Sequence, residues 1–368
     1  MSDKTLSTLV VQDYCQVGGG AERLVNILCR DLPDCALWTS GVYADFLRSG
    51  VGEDIEVKVL GERLAFLPRQ ARAMFSFMFL GQCLPKARNV IYSGIFAPLA
   101  VSAQRSGKRI CYCHTPPKFA FEQSEKYRLS FNLFLRPLFS LGVAAYRRKY
   151  LQAMRRMDLI VTNSANVQRR IDKYLGLPSH VIYPPVDIDL FRWISQGDFY
   201  LSLGRLEPNK RVDLVVQAFR QMPDKKLVVA SGGSQLEHIR RLAEGAPNIA
   251  VLGWVDDQKL AELVGRSIAC LYLPADEDFG MSAVEAMAAG KPVIAVNEGG
   301  LVETIVDGET GNLLPAAFGV AEICQAVEAM DCNRALSMRQ ACEKRAKEFS
   351  RVRFIENIRA ILEPDETL

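Results

Sequence analysis

The chain opens the same way twice. Leu6–Val11 is an apolar run of strand length, rich in β-branched residues. It is followed by Gly18-Gly19-Gly20 and by Ala21–Leu28, whose apolar residues recur at helical spacing. Phe199–Leu203, Gly204 and Val212–Phe219 repeat that order far downstream. Strand, glycine turn, helix is the start of a βαβ unit. Parallel strands cannot be joined by hairpins, so each such start implies crossover helices and a sheet buried on both faces. Short apolar runs at Val90–Ser93, Arg109–Cys113 and Leu159–Asn163 extend the first series. Leu227–Ala230, Ile249–Leu252, Ile268–Leu273 and Pro292–Val296 extend the second. The expected fold class is α/β, with two Rossmann-like, doubly wound domains in tandem. A chain of 368 residues is too long for one compact core and suits two.

The break between them falls at Val181–Gly197. Tyr183-Pro184-Pro185 cannot continue a helix, and the residues after it have no clear period. The expected boundaries are 1–185, 186–349, and a helix with an acidic tail over 350–368 that could cross back to the first domain. The chain begins Met1-Ser2-Asp3-Lys4 and runs straight into a strand, which reads as no secretory leader. The most apolar stretches, near Ala71–Leu84 and Leu129–Tyr146, are interrupted by Arg, Asn or Pro, so no spanning helix is expected. The ten cysteines are scattered through apolar segments and read as reduced core residues. Cys111 and Cys113 flank Tyr112 ahead of His114, but no second cysteine–histidine pair follows at zinc spacing.

Three pieces can carry chemistry. Gly18-Gly19-Gly20 stands at a strand–helix junction, where backbone N–H groups and the helix N-terminus favour an anion. It does not form G-x-G-x-x-G, which argues against a dehydrogenase. Arg205 and Lys210 follow the first strand of the second domain. Side chains at the carboxyl end of a parallel strand reach the crevice where ligands bind, and two cations there can neutralise a diphosphate. Each feature alone also fits a plain turn or a solvated loop. The third piece is Glu277-Asp278-Phe279-Gly280-Met281-Ser282-Ala283-Val284-Glu285, set between a strand ending in Pro274 and a helix ending at Gly290. Gly280 permits a turn hard against a ligand, and the N–H groups of Met281, Ser282 and Ala283 can meet phosphate oxygens.

Taken together, Gly204–Lys210, Glu277–Glu285 and Gly290-Lys291-Pro292-Val293-Ile294-Ala295 resemble the retaining family 4 glycosyltransferases of the GT-B fold, two Rossmann-like domains facing across a cleft. Gly253-Trp254-Val255, Gly299–Glu303 and Asp307–Gly311 add to the likeness. In the first domain, Gly19-Gly20-Ala21-Glu22 and Cys113-His114-Thr115-Pro116-Pro117 resemble a subgroup of bacterial polysaccharide and lipopolysaccharide enzymes, several using GDP-mannose. The resemblance implies that Arg205 and Lys210 hold the donor diphosphate, Glu285 the nucleotide ribose and Glu277 the donor sugar. The Phe279–Ser282 backbone, with Gly280 and Met281, would lie against sugar and phosphate, and Gly253, Trp254 and Val255 would border the base. His114 would contact the transferred sugar or reacting centre, and Gly19 and Gly20 the diphosphate or acceptor. It implies a hexosyltransferase with a nucleotide-sugar donor, a lipid-linked or growing glycan as acceptor, front-face transfer, no metal and no other cofactor.

Charge is unevenly shared. Residues 1–196 carry 26 Lys and Arg against 16 Asp and Glu, and residues 197–368 carry 19 against 26. A basic first half seeks an anionic partner. Two of its stretches mix basic and aromatic residues. One is Arg63–Arg88. The other is Glu125–Arg156, where Glu125 is the one acid among eight basic residues. That mixture predicts peripheral contact with an anionic membrane, at the cytoplasmic inner face of the plasma membrane. A UDP-sugar donor, a nucleotide-sugar epimerase of related shape, or a nucleic-acid binder are the alternatives; no nucleic-acid motif supports the last, so no nucleic-acid partner is expected.

Overall fold

The computed structural model describes residues 6–16, 19–43, 55–80 and 84–363. They form two compact units, Met1–Pro184 with Phe354–Leu368, and Pro185–Arg353. The first holds a seven-stranded sheet: β1 (Leu6–Gln12), β2 (Cys35–Thr39), β3 (Glu56–Val59), β4 (Ala87–Ser93), β5 (Lys108–Cys113), β6 (Leu159–Thr162) and β7 (His180–Val181). Its order is β3-β2-β1-β4-β5-β6-β7, with every neighbouring pair parallel.

Both faces of the central strands are buried, which is why those strands read as largely apolar runs. Leu9, Val11, Val90, Tyr92, Cys111 and Cys113 point to one core. Val10, Ile91, Ile110, Tyr112 and Val161 point to the other, where Leu24, Val25 and Leu28 of the Gly20–Asp31 helix cover them. Phe354, Ile355 and Ile358, from the final helix Arg351–Leu362, join that second core. Lys108 Nζ donates to Ile361 O at 2.7 Å near the end of that helix.

The second unit holds six parallel strands: β8 (Phe199–Ser202), β9 (Lys226–Val229), β10 (Ile249–Val251), β11 (Cys270–Tyr272), β12 (Val293–Val296) and β13 (Gly311–Leu314). Their order is β10-β9-β8-β11-β12-β13. In each sheet the chain winds outward in one direction and then in the other. The switch lies between β1 and β4 in the first unit and between β8 and β11 in the second. Ligands of open α/β sheets bind beyond the carboxyl ends of the strands at such points. The two doubly wound domains read from the sequence are present. The strands β2, β3, β7 and β13 were not predicted. β3 alternates as Glu-Val-Lys-Val with its charged side exposed and its valines only half-buried, and β7 is two residues long. Neither leaves an apolar run. Among the described residues no helix is long and apolar enough to cross a membrane.

Candidate active site

The second unit gathers charge at its switch point. β8 ends at Ser202, and Gly204 then turns the backbone at φ +99°. A Cβ at Gly204 would lie 2.9 Å from the Tyr272 ring, so glycine lets the two strand ends approach. Arg205 follows and is exposed. Pro208–Lys210 forms a single 3-10 turn, which aims Lys210 back at β11. Its Nζ donates to Glu277 Oε2 at 2.7 Å and to Tyr272 OH at 3.0 Å. The Tyr272 hydroxyl donates to the same Glu277 oxygen at 2.9 Å. Lys210 and Glu277 side chains are only 14% and 19% exposed, so their attraction is less screened than that of a surface pair. Burial first, and the Glu277 carboxylate second, hold the Tyr272 phenol well above its ordinary range. It therefore stays a neutral donor.

Two left-handed non-glycine residues frame this triangle, Arg211 at φ +53° and Asp276 at φ +58°. One carboxylate ties both. Glu298 Oε1 accepts from Arg211 Nη2 at 3.3 Å and from the Asp276 N–H at 3.1 Å. Such backbone costs on the order of 1–3 kcal/mol per residue and persists where surrounding contacts over-determine it. The Glu277–Phe279 loop lies directly on Gly299 and Gly300. Cβ atoms there would fall 2.4 Å from Glu277 O and 2.4 Å from Asp278 O. The Gly300 N–H donates to Glu277 O at 2.9 Å. Phe279 is 3% exposed and packs edge-on to Phe349 at 5.4 Å, so its side chain anchors the loop.

Gly280, at φ +97°, begins the Met281–Ala288 helix, which has no side-chain cap. Met281 and Ser282 occupy its first two positions. The Ala283 N–H does not face outward as expected: it donates to Gly280 O at 3.0 Å, because the chain closes a tight turn straight after the left-handed glycine. Glu285 is the fifth residue of this helix and is buried at 9% exposure. Gly253 turns the chain after β10 at φ +77°. Trp254 beside it is 71% exposed, its Cβ 3.6 Å from where a side chain at Gly232 would begin. Val255 is half-buried.

The first unit gathers different groups at the carboxyl ends of β1, β4 and β5. Asp13 follows β1, and its carboxylate accepts from the N–H groups of Ile95 at 2.7 Å, Phe96 at 2.9 Å and Ala97 at 2.6 Å. Gly94, at φ +118°, makes this possible, since a Cβ there would lie 2.4 Å from the Asp13 carboxyl. Burial pushes Asp13 up to about 6 although the three N–H groups pull it down. His114 follows β5. Its Nε2 lies 3.0 Å from Ser93 Oγ at the end of β4, and its ring packs on Tyr112 at 5.1 Å. Burial lowers its imidazole to about 4, so it is neutral near pH 7. Gly19 precedes the Gly20–Asp31 helix in extended conformation, and no side chain caps that N-terminus. Gly18 lies outside the described residues.

Lys210, Glu277, Arg205 and Gly280 thus share one end of the second sheet, and His114 lies at the corresponding end of the first. Sequence reasoning missed Tyr272, Glu298, Asp13 and Ser93. Each is a polar residue at or just after a strand end, and that position is the signal that could have found them.

Two family models match the chain: Glycosyltransferase Family 4 over residues 18–190 and Glycosyl transferases group 1 over residues 191–349. Alpha-1,3/1,6-mannosyltransferase ALG2 of Dictyostelium discoideum is 27% identical, with 80% of this chain and 83% of that one covered. The ALG2 of Saccharomyces cerevisiae is 30% identical, with 56% and 51% covered, so this chain spans about half of that relative's length. The solved structure of Anabaena HepE in complex with UDP-glucose superposes with a TM-score of 0.75 at 18% identity, covering 96% of this chain and 99% of that one. With a family 4 module on one Rossmann-like sheet and a group 1 module on the next, the chain is a glycosyltransferase of the GT-B fold.

Proposed function

We propose that the enzyme is a retaining mannosyltransferase that takes mannose from GDP-mannose and delivers it to a lipid-linked or growing glycan. The observation that carries a nucleotide-diphosphate donor is the Lys210–Tyr272–Glu277 triangle beside exposed Arg205 and an uncapped helix N-terminus. The leaving group gains negative charge as the glycosidic bond breaks, and fixed positive groups stabilise it best. Arg205 offers a fork for phosphate oxygens, Lys210 a point charge, and the Met281 end of its helix a partial charge. With that charge supplied by the chain, transfer proceeds without a metal. Glu277, freed from Lys210, accepts hydrogen bonds from the donor sugar, and buried Glu285 accepts them from the ribose. Neutral His114 contacts the transferred sugar or reacting centre, and Gly19 and Gly20 meet the diphosphate or acceptor. The acceptor hydroxyl attacks on the face from which phosphate departs, and that phosphate takes its proton, so Glu277 forms no covalent intermediate. Mannose is favoured by the names of the ALG2 relatives, and the basic and aromatic stretches of the first half favour the cytoplasmic face of the plasma membrane as the site of action.

The UDP-glucose complex of HepE favours a second reading, a UDP-sugar donor. A thermal-shift panel of GDP-, UDP- and ADP-sugars separates the two, since a ligand that binds only the native state raises Tm. GDP-mannose is expected to give the largest rise. A response to UDP-sugars alone would overturn the GDP-mannose assignment. Full transfer activity in both Lys210→Ala and Glu285→Ala would overturn the donor site itself.

A further inference from the structure

Among the described residues, half of the strongly exposed large apolar side chains fall between residues 127 and 141. Leu133 is 69% exposed, Phe134 90%, Leu138 66% and Leu141 70%. The described residues of the Arg63–Arg88 stretch, which the sequence pairs with this one, do not present a comparable face. Phe77 is 1% exposed and Phe75 and Met78 are half-buried, leaving Phe66 and Phe79 as its exposed aromatic rings.

The segment is built, not loose. Phe131 stacks on Phe139 with centroids 4.9 Å apart, which folds the Phe131–Leu135 turn onto the Arg136–Met154 helix. The inner side of that helix packs Val143, Tyr146, Tyr150, Ala153 and Met154 into the core. Its outer side carries Leu138, Leu141 and Ala145 at helical spacing, then Arg148 and Lys149, all exposed. Several polar groups of the turn are already satisfied. Arg136 Nε donates to Phe131 O at 3.1 Å and Nη2 to Leu129 O at 3.4 Å. The Leu135 N–H reaches Asn132 O at 3.1 Å, and Ser130 Oγ reaches Tyr127 O at 2.7 Å. Arg128 Nε neutralises the one acid, Glu125, at 2.8 Å. Backbone and charge that have partners within the chain can leave water at far lower cost than bare ones.

We propose that Leu129–Leu141 is a wedge that enters the headgroup and upper acyl layer of an anionic bilayer. Leu133, Phe134, Leu138 and Leu141 supply the apolar contact. Arg148 stands about 15 Å along the helix from Leu138, and with Lys149 and Lys126 it reaches the lipid phosphates while the tip sits about 5–10 Å deep. A second copy of this chain fits the same face less well, because two such surfaces would bring Arg148 and Lys149 against like charges. Vesicle binding needs no donor, so this proposal and the donor assignment can fail separately.

The test is flotation with vesicles of phosphatidylcholine alone and of phosphatidylcholine mixed with phosphatidylglycerol. The wild type is expected to float with the mixed vesicles and bind the neutral ones more weakly. Leu133→Ser with Phe134→Ser should weaken binding to the mixed vesicles at least about tenfold. Phe134→Leu, which keeps an apolar tip, should retain it. Arg148→Glu with Lys149→Glu should abolish the preference for anionic lipid. Wild-type vesicle binding by the double Ser variant would overturn the proposal. So would a wild-type dimer in light scattering that this variant converts to a monomer.

Discussion

The two sheets end in opposite kinds of electrostatics. Beyond β1 and β5, the ionisable groups are held by the backbone and by burial: Asp13 by three N–H groups, His114 by Ser93 and the Tyr112 ring. Beyond β8 and β11, charged side chains hold one another, Lys210 with Glu277 and Arg211 with Glu298. A carboxylate tied to the Gly94 turn cannot change partners without undoing that turn. A lysine tied to a carboxylate can, because a phosphate oxygen offers the same charge in the same place. The first arrangement shapes a site, and the second is the kind that a ligand recruits.

The sharpest way to break this contrast is to remove the recruited charge. Lys210→Ala should lower kcat/KM for transfer by about 10²–10³-fold, the range for losing one fixed charge-stabilising donor, measured in steady state at saturating acceptor. The next effect lies in the first unit. Folded His114 titrates at about 4 against an ordinary 6.5, so the unfolded chain binds more protons between those values. Its contribution to stability is complete above pH 6.5 and is lost as pH falls toward 4, up to about 3 kcal/mol. Asp13, raised from 3.8 to about 6, has the opposite slope, its contribution falling as pH rises across that window. Comparing denaturant unfolding of the wild type with His114→Gln from pH 7 to pH 4 isolates the histidine. An NMR midpoint for His114 near 6.5 would contradict its burial.

Smaller effects are expected from two further substitutions in the second unit. Gly300→Ala puts a Cβ 2.4 Å from Asp278 O and 2.5 Å from Phe279 Cα. It should cost about 2 kcal/mol in thermal unfolding and weaken donor binding by displacing Glu277. Arg205→Ala removes an exposed cation and should raise KM for the donor about tenfold with less change in Tm, since the contact exists only with ligand bound.

Much of the fold could be read from the sequence because its central strands are buried on both faces. Leu6–Val11 and Phe199–Leu203 are largely apolar runs, the second followed at once by Gly204. The edges could not, because Glu56–Val59 and His180–Val181 bury one side or almost nothing. The candidate site divides in the same way. Gly280 and the Met281–Ala288 helix are local features. The meeting of Lys210 with Glu277 is not, since it depends on β8 lying beside β11, with Leu201 paired to Cys270. Asp13 carries no local signal, because its three donors come from residues more than eighty positions away.

In the proposed donor site, Lys210 exchanges Glu277 for the donor diphosphate. Calorimetric titration of GDP and of UDP into the wild type, Lys210→Ala and Glu277→Gln tests it most directly. The better of the two nucleotides should bind Lys210→Ala at least about tenfold more weakly. It should bind Glu277→Gln as tightly as the wild type or more so, because the competing carboxylate is gone. Unchanged affinity in Lys210→Ala, or a loss in Glu277→Gln as large as that in Lys210→Ala, would contradict it.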